Sequence, residues 1–531
     1  VTAIGAVLIG ATAAVAQTQT LPLTLEDAVR RALDNNPELA VVRLETDVQT
    51  TRVSQSRTAF TPLFSTTLGR SSVVTPPQSL LVGERGVDVN DLFSSTGVRQ
   101  LLPWGSGTWS ISWESSRTTT NNPFTSFDPT LQSGFQLAFS QPLLRDRKID
   151  PARHQYALAK RDEKSSDLRY REAAVQTVAA VKQAYWTLKA TRANIDVQQR
   201  SLELARQLAQ ENKVRVDAGH IPPLDLVQAE AEISQRRERL IRAQAGADDA
   251  EDALRRLIVN PQDVSFWKAR LEPVEEPSVV GALPDVDAAV ANALAGRYDI
   301  ARAGEDLEKQ RETIAFLNNQ RLPDVRLETS YRGSGLAGTQ FIRSGGFPGS
   351  IVDTRNRGFA DALGQVFTDD YPTWSLGVTV SYPIGRSYED ASLARARVEQ
   401  QQTRQRIASL SLEAAETVRR AGRQVHSTAE RIEAARAGAA LAEERLDSEQ
   451  RRFNVGLSTT FLVTQAQRDL LEAQVNLLQN MLDFESALVN FEAVQQAPPL
   501  TSGATLGIDG SSIIVVPPPA PRGVFRATGG F

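Results

Sequence analysis

The sequence predicts a mainly helical chain with a membrane β component. Two tandem repeats each form a long coiled-coil helical hairpin and carry a few strands, which close into a small transmembrane β-barrel shared by several copies. Three observations predict this. The two halves of the chain repeat each other. Proline-free stretches carry an apolar residue every seven positions, the pattern of supercoiled helices. Short segments of strict apolar–polar alternation lie between those stretches.

In chain order, residues 1–16 are an apolar run ending Ala14-Val15-Ala16, small residues placed as at a signal-peptidase site before Gln17. The expectation is a partial secretory leader. The alternative is a membrane anchor, for which the run is short. Beyond it no comparably long apolar run occurs, so a membrane-spanning form of this chain would cross as strands.

The first repeat is placed at 17–260 and the second at 261–496. Ala28-Val29 and Ala32-Leu33 recur as Ala289-Val290 and Ala293-Leu294, and Pro62 recurs as Pro323, all at an offset of 261. Pro142 and Pro383 are only 241 apart, so the first copy holds about twenty more residues between its prolines. Strands are expected at about 61–72, 96–117 and 131–141, then at about 323–332 and 373–383. Trp374, Leu376, Val378, Val380 and Tyr382 alternate with Ser375, Gly377, Thr379 and Ser381. An apolar face backed by a polar one suits a barrel wall, and equally a half-buried sheet in water. Trp109, Ile111 and Trp113 follow the turn Trp104-Gly105-Ser106-Gly107 and, with 96–102, predict an extra hairpin that accounts for the excess. Segments 73–94, 118–130 and 333–372, rich in Gly, Pro, Ser, Asn and Asp, are read as loops.

Helices are expected at about 151–217 and 224–258, and again at 386–454 and 461–493. Val181, Leu188, Ile195, Leu202, Ala209 and Val216 are matched 237 positions on by Val418, Val425, Ile432, Ala439, Leu446 and Phe453. Leu226, Ile233, Leu240, Ala247 and Leu254 are matched by Val463, Leu470, Leu477, Phe484 and Phe491. At 1.5 Å per residue each longer helix would run roughly 100 Å, too long for the core of a compact globule. Two strands per repeat give four per chain, too few to close a wide barrel alone, so several chains must share one. The tail 497–531, with six prolines, is expected to be disordered.

Composition excludes other classes. Charge is nearly balanced, 59 Lys+Arg against 63 Asp+Glu, which gives no footing for nucleic acid. Cysteine is absent, which removes disulfides, thiolate metal sites and cysteine nucleophiles. His154, His220 and His426 share no metal-ligand spacing and are expected to be solvated. No nucleophile, metal or cofactor motif supports an enzyme.

Over about residues 21–496 the chain resembles the TolC-type outer-membrane efflux proteins. The doubled helix–strand–strand–helix plan carries the resemblance, together with Leu23-Thr24-Leu25-Glu26-Asp27-Ala28, Asn36-Pro37-Glu38-Leu39, Gln141-Pro142-Leu143 and two tip motifs. The tips are Arg215-Val216-Asp217-Ala218-Gly219-His220, followed by Asp225-Leu226-Val227-Gln228-Ala229, and Arg452-Phe453-Asn454-Val455-Gly456-Leu457, followed by Val463-Thr464-Gln465-Ala466. The resemblance implies a homotrimer with a twelve-strand barrel in outer-membrane lipid and a twelve-helix α-barrel crossing the periplasm of a Gram-negative cell, and the extra hairpin departs from that strand count. It also implies a periplasmic adaptor protein and an inner-membrane RND, ABC or MFS transporter as partners, and no cofactor. The chain would be the passive exit duct of a tripartite efflux or type I secretion system. A barrel-anchored coiled-coil adhesion or structural protein is the alternative.

The resemblance further implies adaptor docking at Ala218, Gly219, His220, Val455, Gly456 and Leu457. Family members carry aspartates six and nine positions after the second tip glycine, where this chain has Leu462 and Gln465. Phe461, Leu462 and Gln465 are therefore expected to form the periplasmic constriction. The first copy keeps Asp225, whose family partners, a tyrosine and an arginine, are replaced by Phe453 and Ser458. That latch cannot form in the same way, and Asp225 also suits the positive N-terminal end of a helix dipole.

Overall fold

The computed structural model describes residues 20–76, 86–260, 267, 269–277, 283–346, 349–385 and 387–496. The expected leader at 1–16 and tail at 497–531 lie outside these residues. The first half of the chain runs β1 (Thr20–Leu23), α1 (Leu25–Asn35), α2 (Pro37–Arg57), β2 (Leu63–Thr75), β3 (Val87–Leu101), β4 (Thr108–Thr120), β5 (Phe127–Pro142), α3 (Pro151–Asp217) and α4 (Pro223–Ile258). The second runs β6 (Arg270–Pro273), α5 (Val286–Gly296), α6 (Tyr298–Gln320), β7 (Asp324–Ser344), β8 (Ser350–Arg357), α7 (Phe359–Phe367), β9 (Pro372–Ser381), α8 (Tyr388–Asn454) and α9 (Thr460–Gln495). The chain divides into a helical unit (1–45, 167–302 and 407–531) and a sheet-bearing unit (46–166 and 303–406).

In the helical unit the seven-residue repeat is the buried seam. Val181, Tyr185 and Leu188 of α3 pack with Leu254 and Ile258 of α4 and with Leu23 and Leu271 of the two short strands. Val418, Val425 and Ile432 of α8 pack with Phe484 and Phe491 of α9 and with Ala289 and Ala293 of α5. Burying each large apolar side chain contributes about 1.5–3 kcal/mol. Polar side chains set the helix starts. The Thr24 hydroxyl accepts the Asp27 N–H, and the Asp285 carboxylate accepts those of Asp287 and Ala288. β1 and β6 pair in parallel, Leu21 opposite Leu271. Four-residue strands leave no periodicity to read, so this pair is absent from the expected elements.

In the sheet-bearing unit β2, β3, β4, β5 and β7 lie side by side in antiparallel order. β7 continues on its other edge to β9 through Asp324–Gly333 and to β8 through Gly338–Ser344. One row across six strands reads Phe64, Val98, Ile111, Leu137, Tyr331, Trp374. The rows on either side are Leu63, Arg99, Ser110, Ala138, Ser330, Ser375 and Ser65, Gly97, Ser112, Gln136, Arg332, Thr373. Around these rows one face of the sheet is therefore apolar and the other mostly polar; on the polar face Arg332 pairs with Glu114 at 3.0 Å. Among the described residues β2 and β9 pair on one edge only.

Three loop expectations are corrected. β3 begins at Val87 inside the segment 73–94, β4 and β5 enter 118–130, and 333–372 holds the upper part of β7 together with β8 and α7. Serine, threonine and asparagine composition misled, because a ladder is made by backbone groups and threonine favours strands. The glycines of β7 have a packing reason. A Cβ on Gly335 would meet the Ala362 carbonyl oxygen at 1.9 Å, so α7 lies against the strand where only hydrogen fits. Gln365 of α7 then exchanges two hydrogen bonds with the Leu336 backbone, 2.9 and 3.1 Å. His154 is also corrected. It is half-buried, stacked on Phe316 with ring centres 4.4 Å apart, and burial lowers its pKa.

Candidate functional site

Both helical hairpins turn through the same backbone device. After α3, the His220 N–H donates to the Arg215 carbonyl at 2.8 Å and the Gly219 N–H to Val216 at 2.9 Å. After α8, the Leu457 N–H donates to Arg452 at 2.8 Å and the Gly456 N–H to Phe453 at 3.1 Å. This crossed pair of bonds closes a helix on a left-handed residue, and Gly219 and Gly456 have φ of 76° and 78°. Nothing lies within 4 Å of a Cβ built on either glycine, so backbone conformation alone selects the residue. The turns expose Ala218, Gly219, His220, Val455, Gly456 and Leu457 together. Leu224, Val227, Phe461 and Leu462 add exposed apolar side chains on the first turns of the returning helices.

The two hairpins meet just behind these turns. Phe453, only 2% exposed, sits in a small core with Leu208, Leu446, Val463, Ala466 and Leu470. The Arg215 guanidinium covers its ring at 3.8 Å, and Nη1 donates to the Phe453 carbonyl at 3.1 Å. The structure thus brings Phe453 to Arg215 rather than to Asp225. Asp225 is half-buried in the first turn of α4, where the helix dipole favours a carboxylate, and its side chain has no hydrogen-bond partner among the described residues. Ser458 bonds instead to Glu449 at 2.7 Å. Thr459 caps α9, accepting the Leu462 N–H at 3.4 Å. This cap leaves the Phe461 and Leu462 side chains exposed, while Gln465 bonds along its own helix to Asp469 at 2.7 Å.

A second polar link was not anticipated. Arg236 of α4, 1% exposed, bonds to Glu232 at 2.9 Å and to the Ser201 carbonyl of α3 at 2.7 Å. Arg468 of α9 reaches both Glu232 oxygens through Nε at 3.2 and 3.3 Å. Burial pushes the Glu232 pKa up, but the hydrogen bonds from Arg468 and Arg236 outweigh it and hold the carboxyl below its ordinary range. Burial lowers the Arg236 pKa. The signal was legible in principle, since Ala229, Arg236, Ala243 and Ala250 are seven apart, an arginine in a seam of alanines. No group of three or more His, Cys, Asp or Glu side chains among the described residues is placed to hold a metal.

Comparison with known proteins follows the same lines. A family model described as "Outer membrane efflux protein" matches residues 100–259 and 289–494. No curated protein matches the sequence. Three solved structures are similar in fold. A membrane protein from Pseudomonas aeruginosa is 19% identical, covers 90% of this chain and 91% of its own, and superposes with a TM-score of 0.63. The Campylobacter jejuni CmeC outer membrane channel is 16% identical, with 89% and 85% covered and a TM-score of 0.62. The outer membrane protein VceC from Vibrio cholerae is 15% identical, with 89% and 96% covered and a TM-score of 0.62. The family model spans well over half of the chain, in one stretch on each side of the internal duplication; the chain belongs to the outer membrane efflux protein family.

Proposed function

We propose that this chain is the outer-membrane exit duct of a tripartite efflux or type I secretion system and carries substrate passively. In this reading the chain comprises two repeats, at 17–260 and 261–496, and three copies share one β-barrel. A periplasmic adaptor and an inner-membrane RND, ABC or MFS transporter complete the system, and the transporter supplies the energy. The observation that carries the reading is the two-faced sheet whose outer edges are unpaired among the described residues. Its apolar row, from Phe64 to Trp374, suits lipid, and the polar rows beside it suit a water-filled lumen. An open edge is untenable in a membrane, so further copies must complete it.

The turns at 218–223 and 455–460 are the adaptor-docking tips. Ala218, Gly219 and His220 with Val455, Gly456 and Leu457 form the contact, where exposed apolar side chains flank a small-residue turn. Phe461, Leu462 and Gln465 form the periplasmic constriction. Asp225 stands beside it, and Phe453 supports it from the core behind. The test is to reconstitute the purified chain in planar bilayers and to place photo-crosslinkers at 218–223 and 455–460. Discrete ion-conducting steps and a crosslinked adaptor are expected. A protein that never conducts and never crosslinks would end the proposal.

A further inference from the structure

The inserted hairpin β3–β4 changes how many strands a shared barrel must hold. In the second repeat β7 lies directly against β9. Their counterparts in the first repeat are β2, which follows Pro62, and β5, which ends at Pro142. These two do not touch, because β3 and β4 lie between them in unbroken antiparallel register. Six strands therefore stand side by side where the second repeat's plan, applied twice, would give four.

The hairpin belongs to the wall. Val98 and Ile111 continue the apolar row of their neighbours, while Gly97, Arg99, Ser110 and Ser112 continue the polar rows. A segment folded into the lumen would be wetted on both faces and would have no reason to alternate. Its turn is anchored as well. Gln141 donates to the Gly105 carbonyl at 2.7 Å, and the buried Ser106 hydroxyl donates to the Asp146 carbonyl at 2.7 Å.

The two open edges are built to be joined. Leu63 lies across from Arg99 at the same end of the sheet at which Asp324 lies across from Ser381, so β2 runs away from that end and β9 runs toward it. β9 of one copy beside β2 of the next keeps every neighbour antiparallel. The edges carry little of the usual protection: β2 has no lysine or proline and one charged residue, Arg70, and β9 has no charged residue and proline only at its first position.

We propose that three copies, joined β9 to β2, close an eighteen-stranded barrel with six strands from each. At equal strand tilt it is roughly 1.5 times as wide as a barrel of four strands per copy. This rests on the trimeric duct reading above. The test is electron cryo-microscopy of the full chain in lipid nanodiscs, with strands counted in the barrel. A threefold particle with eighteen strands is expected. A threefold particle with twelve strands, the hairpin displaced from the wall, would overturn the inference and leave the duct reading standing. A particle without threefold symmetry or without a lumen would overturn both.

A biochemical measurement runs beside it, using the fact that the chain contains no cysteine. Ser65→Cys is combined in turn with Ser375→Cys, Gly377→Cys and Thr379→Cys, so that both thiols lie on the polar face. Oxidation should link separate copies in at least one pair. Ser65→Cys with Gln136→Cys should not link, since β3 and β4 intervene; a disulfide there would put β2 against β5 and overturn the inference.

Discussion

Arg215 and Phe453 join the two hairpins just behind their turns. The guanidinium lies over the ring and also donates to a carbonyl at the C-terminal end of α8, where the helix dipole favours a cation. The ring contact contributes about 0.5–2 kcal/mol. This leaves the exposed Leu462 free of any structural duty at its side chain, since α9 is capped through the Leu462 backbone N–H. Leu462→Ala should therefore leave the fold intact while widening the proposed constriction. Single-channel conductance in a planar bilayer should rise, and an unchanged value would remove Leu462 from the gate. The glycines and exposed apolar residues of the tips were legible in the sequence because the two motifs repeat at a fixed offset. The role of Arg215 was not, because a ring–guanidinium contact joins residues 238 apart that no periodicity relates.

At the scale of elements, Glu232 ties α4 to α9, and it shares Arg236, which reaches α3. Removing one partner of a buried ion pair costs about 3–5 kcal/mol, because the other charge is left without compensation. Glu232→Gln keeps an acceptor and should sit near the lower end, read as a fall in melting temperature at neutral pH. The pH dependence follows from the sign of the shift. A carboxyl held below its unfolded value of 4.5 contributes stability that is complete above that value and is lost as pH falls through the folded value. Wild type should lose this contribution on acidification below about pH 4.5, whereas Glu232→Gln should show a flatter profile there. Melting curves by circular dichroism across that window decide it. The long helices were legible because a seven-residue apolar seam without proline permits little else. The upper strands were not, since β3, β5 and β7 enter their outer parts through Ser, Thr, Asn and Gly, whose composition also describes loops. The helix α7 was hidden because a nine-residue amphipathic stretch between strands has too few turns to declare a period.

Across the whole molecule, one plan is used twice and interrupted twice, differently each time. The first repeat inserts β3–β4 between β2 and β5, and the second inserts β8 and α7 between β7 and β9. The excess of residues between Pro62 and Pro142 announced the first insertion. The second was masked, because its residues were assigned to a loop of the same length.

The open edges of β2 and β9 also carry a genetic consequence. If three copies close one ring as proposed, a subunit with one sound edge and one spoiled edge, made by placing proline at a β9 position whose N–H faces outward, joins a growing ring but cannot finish it. Such an allele should be dominant: co-expressed at equal dose with wild type, it should leave only about one-eighth of rings free of the defect if three subunits mix at random. Counting trimers on a gel after chemical crosslinking would measure it. A yield near one-half would mean instead that subunits assort with their own kind.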